Sequence, residues 1–214
     1  MTLCLKIDPG KPDEEKLAEA VRVLREGGVV AFPTETFYGL GADARNEAAV
    51  EKIFRIKGRN FRNPLSVIVA NDREVIPLVE EIPAAAKILM QTFWPGPLTL
   101  IFRAAPSVSS RLTGGTGKIG IRVSSHPIAR FLAAGLAGPL TATSANPSGG
   151  PECSSADAVI RTLGDLPDAV IDGGATPGGA GSTILDVTGF PPRILREGAI
   201  PRSLILNALP PTEG

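Results

Sequence analysis

Apolar positions recur at helical spacing across residues 13–26, DEEKLAEAVRVLRE, where Leu17, Val21 and Leu24 share one face. Acidic residues fill the first turn and Gly27-Gly28 follows the last, so a helix is predicted here. The unbroken apolar run VVAF that comes next reads as a buried strand. Asn46 is placed to cap a second helix, EAAVEKIFRIK, with Val50, Ile53 and Phe54 facing inward and Gly58 ending it. Further strands are predicted at 65–70, 97–102, 119–123 and 139–143, with short ones near 168–172, 183–187 and 193–196. Helices are predicted at 83–94, where proline occupies the first turn, and at 126–135 and 154–164. The tail ALPPTEG is expected to fray. Helices and strands alternate without an internal repeat, which points to one α/β domain with a mostly buried sheet. Threonines and an arginine inside otherwise apolar strands suggest that one face of that sheet lines a cleft.

Composition narrows this only a little. A chain of 214 residues, 43% hydrophobic and 21% charged, is long enough to bury a real core. The formal net charge is zero, so affinity for phosphates has to come from local clusters of cations. Cys4 and Cys153 are too few and too far apart for a disulfide framework, and with a single histidine they make a zinc cluster implausible. No apolar run approaches a membrane span and the N-terminus lacks the layout of a signal peptide, so a cytoplasmic protein is expected. The 24 glycines and 20 prolines are spread along the chain, as expected for many short elements joined by shaped turns.

Four polar clusters stand at the ends of the apolar elements: PTETFYGLG at 33–41, KGRNFRNPL at 57–65, TSANPSGG at 143–150, and STILD followed by RILREG within 182–198. The first holds two hydroxyls, a carboxylate and two rings among glycines, more than a plain turn requires. In the second, Lys57, Arg59 and Arg62 put three cations within six residues. Basic capping of a helix end accounts for Lys57 but not for Arg59, which lies beyond the cap; anion binding accounts for both. The third offers hydroxyl and amide donors in an Asn-Pro turn, where consecutive backbone N–H groups can also cradle an anion.

GGTGK at 114–118 is not a P-loop, because Leu112 stands where the first glycine is required and Ile119 where a hydroxyl is required. Arg122, inside the strand IGIRV, must find a partner or face a wet cleft. Its alternatives are an ion pair with an acid such as Asp43, Asp172 or Asp186, or a substrate carboxylate; Arg196 in RILREG poses the same choice. His126 precedes a proline at a helix start and reads as a cap or surface residue, and Trp94 reads as core. Without a histidine in a site, Ser–His or Cys–His nucleophilic catalysis is disfavoured. The inventory of Arg, Lys, Thr, Ser and Asn suits phosphoryl or nucleotidyl transfer, where positioning and charge stabilisation do most of the work.

These four clusters, in this order and spacing, resemble the YrdC-type threonylcarbamoyl-AMP synthases from about residue 13 to about residue 202. The resemblance implies a single YrdC-like α/β (α+β) domain over 13–202, with a twisted mixed β-sheet flanked by helices and a deep central cleft. Residues 1–12 would be an N-terminal extension and 203–214 a C-terminal tail. It further implies that L-threonine, bicarbonate and ATP, with Mg²⁺, become threonylcarbamoyl-adenylate and pyrophosphate. A threonylcarbamoyl-transferase machinery would then act on tRNA. Thr34, Thr36, Tyr38, Arg122, Ala142 and Ser182 would surround threonine. Lys57 and Arg59, the signature pair, would hold the nucleotide with Asn63, Lys118, Ser144, Asn146, Glu152 and Arg196. No dedicated protein metal site is implied.

The chain departs from the family pattern in three places. Lys118 stands where many relatives have threonine, Ile68 where longer members carry histidine, and the sequence stops soon after RILREG, without their extra C-terminal domain. Two other functions compete: a module that binds double-stranded RNA or tRNA, which the absence of a basic excess disfavours, and a carbamoyl-transfer domain using carbamoyl phosphate. Replacing Lys57 or Arg59 is expected to suppress adenylate formation more than it lowers stability, because both are read as lying past a helix end.

Overall fold

Local sequence signals set the first half of the architecture. The structure, a computed structural model, describes residues 2–8 and 10–210. Strand β1 (Leu3–Lys6) leads to helix α1 (Glu14–Arg25), capped by the Asp13 side chain and burying Leu17, Ala20, Val21 and Leu24. The apolar run becomes β2 (Val30–Pro33), which pairs antiparallel with β3 (Tyr38–Gly41). Helix α2 (Glu47–Lys57) begins at Asn46, whose side chain accepts from the Ala49 N–H, and ends at Gly58 with φ of 56°, a left-handed cap that favours glycine.

The second half continues with β4 (Val67–Ile68), a 3-10 turn over Asp72–Leu78, α3 (Ala84–Phe93), β5 (Leu98–Arg103), α4 (Ser110–Thr113) and β6 (Lys118–Arg122). Helix α5 (Pro127–Leu136) is opened by His126, whose Nδ1 accepts the Ile128 N–H, so the histidine is a cap. Then come β7 (Leu140–Thr141), β8 (Thr143–Ser144), α6 (Ala156–Leu163), β9 (Ala169–Asp172), β10 (Thr183–Asp186), β11 (Arg193–Arg196) and α7 (Arg202–Ala208).

The single sheet expected from the sequence is two mixed sheets. One has the order β1-β9-β2-β3-β8 and the other β11-β10-β5-β6-β4-β7. The stretch 139–143, expected as one strand, is where they part: β7 pairs with β4 in the second sheet and β8 with β3 in the first. Ala142, between them, donates its N–H to the Ser66 carbonyl. The strand expected at 65–70 is reduced to two residues for the same reason, since its partner β7 is equally short.

Val30, Phe32 and Ile171 pack under α1 and α5 in one cluster, while Ala31, Tyr38 and Leu40 join the second sheet and α2, α3 and α6 in the larger one. Sequence periodicity did not reveal α7, in which Ile205 is fully buried and Leu204 and Leu206 face out. Part of the tail expected to fray is thus ordered: Leu209, just past α7, packs on the core, while residues 211–214 lie outside the described residues. No helix among the described residues is long and apolar enough to cross a membrane.

Candidate active site

A cavity of about 470 Å³ opens between the two sheets where β3 and β8 approach the polar face of β5, β6 and β10. That size falls in the range of small-molecule sites. One wall is the β2–β3 connection. There the Thr34 hydroxyl donates to the Phe37 carbonyl at 2.6 Å, accepts the Thr36 N–H at 3.2 Å and lies 3.1 Å from the Thr36 hydroxyl. Both threonines are buried against the cavity, so the turn is held by the groups that line it. The Tyr38 hydroxyl is turned to the segment just past β9: it donates to the Gly174 carbonyl at 2.7 Å and accepts the Gly173 N–H at 3.3 Å. Burial pushes its pKa up to about 12, so it stays neutral.

The floor comes from strand alternation. Leu98, Leu100 and Phe102 of β5 enter the larger core, which turns Thr99 to the cavity. On β6 the same alternation buries Ile119 and Ile121 and turns Arg122 inward. Gly120 sits between them: a Cβ there would lie 2.6 Å from the Ser66 Oγ and 3.3 Å from a Thr99 methyl, both of which face the cavity. The absent side chain therefore keeps the floor open.

Arg196 reaches the same face by a β-bulge. Ile184 pairs with Arg196 but Leu185 with Ile194, so Leu195 is the extra residue that re-aims the arginine. The Arg196 Nε and Nη2 donate to the Ser182 carbonyl at 3.1 and 2.8 Å, and the Ser182 hydroxyl lies 3.0 Å from that of Thr99.

Lys57 lines the same cavity. It is the last residue of α2 and is only 4% exposed. Its Nζ donates to the carbonyls of Ser144 at 2.6 Å and Asn146 at 2.7 Å and to the Asn146 Oδ1 at 3.2 Å. The Lys57 carbonyl in turn accepts the Ser148 N–H, so the 144–148 loop is latched to this residue twice. The ammonium thus bonds this loop and caps no helix carbonyl. Burial, reinforced by the nearby Arg59 charge, lowers its pKa to about 8. Arg59 is half-buried, lines the cavity and donates to the Pro64 carbonyl at 3.1 Å, while Arg62 is exposed and outside the cavity.

With this geometry in hand, comparison with known proteins is decisive. The model of the Sua5/YciO/YrdC family, described as Telomere recombination, matches residues 22–198. The chain belongs to the Sua5/YciO/YrdC family. It is 43% identical over 189 residues to the threonylcarbamoyl-AMP synthase of Pyrococcus abyssi, covering 88% of this chain and 56% of that protein. Its fold matches the crystal structure of P. abyssi Sua5 complexed with L-threonine, with a TM-score of 0.94 and 40% identity over 97% of this chain and 61% of the other. It also matches E. coli YciO, with a TM-score of 0.85 and 29% identity over 93% of this chain and 97% of that one. The chain thus spans little more than half the length of the P. abyssi relative.

Of the fourteen residues assigned from the sequence, thirteen line this same cavity of the Sua5/YciO/YrdC-family domain. Among them Asn63 and Glu152 contribute from exposed loops and Ala142 from the crossover between sheets. Lys118 does not join them. It shares the strand face of Arg122, but four residues of strand put it about 13 Å away, where its Nζ lies 2.8 Å from Asp186 Oδ2.

The partner of Arg122 was also missed. It is Glu35, with Nη1 at 3.1 Å from Oε1, whereas Asp43 pairs with Arg45, Asp172 accepts the Gly174 N–H and Asp186 pairs with Lys118. Ser66 and Thr99 line the cavity as well. Thr99 was foreshadowed by a threonine at an alternate position in an apolar strand; Ser66 carried no comparable signal.

Proposed function

We propose that this cavity binds L-threonine and ATP side by side and joins them, through a bicarbonate-derived carbon, as threonylcarbamoyl-adenylate with release of pyrophosphate. The observation that carries the reading is that two groups suited to an amino acid and to a nucleotide share one cavity. Thr34, Thr36 and Arg122 form the first, and Lys57, Arg59, Ser144 and Asn146 the second. The sequence likeness to a threonylcarbamoyl-AMP synthase favours the same pair of substrates.

In the reaction, the threonine amine adds to CO₂ derived from bicarbonate and loses a proton to give a carbamate. A carbamate oxygen then bonds to the α-phosphorus, and the bond from that phosphorus to the bridging oxygen breaks as pyrophosphate leaves. Arg122 holds the threonine carboxylate, and Lys57, Arg59 and Arg196 offset the charge that gathers on the phosphates. Holding both reactants between two walls supplies proximity and keeps water from the carbamate. No side chain needs to act as a covalent nucleophile.

Mg²⁺ enters as the counter-ion of the triphosphate. Such an ion keeps several waters and asks the protein for only one or two carboxylates. Glu152, the one carboxylate among the described residues that line the cavity, fits that demand. In this reading the adenylate passes, in the cytoplasm, to a threonylcarbamoyl-transferase machinery that acts on tRNA.

The direct test incubates the protein with ATP, Mg²⁺ and bicarbonate, with and without L-threonine, and measures pyrophosphate. Threonine-dependent release is expected; release indifferent to threonine would refute the assignment. A pH dependence is expected too. In the free protein Lys57 loses its proton as pH rises through about 8, whereas bound phosphates favour the ammonium and raise its pKa. Above pH 8, ATP binding therefore takes up a proton, and affinity falls as pH climbs from 7 to 9. Calorimetry in two buffers of different ionisation enthalpy reads the proton directly, and an affinity flat across that range would contradict the role given to Lys57.

A further inference from the structure

The Thr34-Glu35-Thr36 segment presents alternate side chains to opposite sides. Thr34 and Thr36 line the cavity, and Glu35 turns away from it to the end of β6. Its carboxylate is held at both oxygens by the end of that strand and the segment just past it: Oε2 accepts from the Ser124 hydroxyl, and Oε1 lies 3.1 Å from Arg122 Nη1. Both side chains are well buried, at 12% and 9% exposure. Oε1 has no hydrogen-bond partner among the described residues, so its contact with Arg122 is one of charge.

The opposite side of Arg122 faces the cavity, and there Arg196 faces it as well. Two guanidiniums on one small cavity repel each other, and Arg122 is also stripped of water; both effects press its pKa down, burial most strongly, while Glu35 opposes them.

We infer that Glu35 is a positioning residue for amino-acid binding, holding the Arg122 guanidinium from behind so that its free edge stays aimed into the cavity. The inference rests on the reading that Arg122 takes the threonine carboxylate. Without the carboxylate behind it, a buried guanidinium facing a second one gains most by swinging through the cavity toward water. Orientation is then lost even though the charge remains. Glu35 belongs to the connection between two strands of the first sheet and Arg122 to the second sheet. Their pairing therefore fastens the first sheet to the second beside the cavity.

Glu35→Gln keeps the size and removes the charge. It is expected to weaken L-threonine binding at least tenfold and raise the threonine KM to match. ATP affinity should stay within twofold, and kcat at saturating threonine within threefold. Glu35→Asp, which keeps the charge at shorter reach, should fall between that variant and the wild type. Ser124→Ala frees Oε2 and should weaken threonine binding threefold to fivefold; it carries the test if the Glu35 variants do not fold.

Calorimetric titration of threonine and of ATP, separately, reads all of these. Threonine affinity unchanged in folded Glu35→Gln, or equal losses for threonine and ATP, would overturn the inference. A wild-type protein that binds no threonine would instead overturn the reading of Arg122 on which it rests.

Discussion

Replacing Lys57 by methionine should cut threonine-dependent pyrophosphate release by two to three orders of magnitude and lower thermal stability as well. The first effect follows from the charge of the ammonium beside the cavity, since its three N–H groups are already held by Ser144 and Asn146. Removing one such group from developing charge costs about 3–4 kcal/mol of barrier. The second departs from what the sequence suggested. Lys57 is buried, and its Nζ satisfies two backbone carbonyls and the Asn146 amide oxygen. A buried acceptor left without a donor costs about 1–3 kcal/mol, and water admitted through the open cavity recovers part of it. A net loss of about 3 kcal/mol, or roughly 6–12 °C in Tm for a chain of this size, is expected. Arg59→Met provides the contrast. Its side chain donates to one carbonyl of a partly exposed loop, so activity should fall comparably while Tm moves by no more than about 3 °C. Steady-state assays paired with thermal melts separate the two. Equal destabilisation by both substitutions would mean that the Lys57 hydrogen bonds carry no special weight.

Arg122→Met is expected to raise the threonine KM about 100-fold with the ATP KM within threefold. A charge-assisted bond to a carboxylate is worth about 1.5–3 kcal/mol, and each 1.4 kcal/mol is a factor of ten. The substitution also strands the Glu35 carboxylate, and a buried charge deprived of its partner costs about 3–5 kcal/mol. The Arg122→Met/Glu35→Gln pair removes both charges, so it should recover most of the lost stability and none of the lost threonine affinity. Thermal melts of the two single variants and the double variant, together with threonine titrations, complete a double-mutant cycle. If the double variant were no more stable than Arg122→Met, the pair would not be a stabilising contact; if it bound threonine normally, Arg122 would not be the carboxylate ligand.

Most of the site was legible because its residues are concentrated in short polar clusters at the ends of apolar runs. Lys57 with Arg59, Ser144 with Asn146, and Thr34 with Thr36 are each close neighbours in the chain, and local packing keeps them on one surface. Arg122 was legible for a different reason: an arginine inside a buried strand is costly enough to demand a purpose. What failed were choices between equivalent candidates. Three acids were named as partners for Arg122, and the chain says nothing about which is near; the answer, Glu35, was not among them and accepts from Ser124, 89 positions away. Lys118 came from the family resemblance alone, at a position where this chain departs from its relatives, and only the fold shows that its Nζ lies 2.8 Å from Asp186 outside the cavity lining.

The fold divides in the same way. Side-chain periodicity, caps and glycine stops settled where most helices and strands begin and end, since those preferences act over a few residues. Tertiary structure alone decided that 139–143 breaks into two strands on two sheets, that a bulge at Leu195 turns Arg196 to the cavity, and that residues 202–208 form a helix on the core. Each of these depends on a partner distant in sequence, through pairing register or burial against another element. A local pattern carries no record of such a partner until the chain has closed on itself.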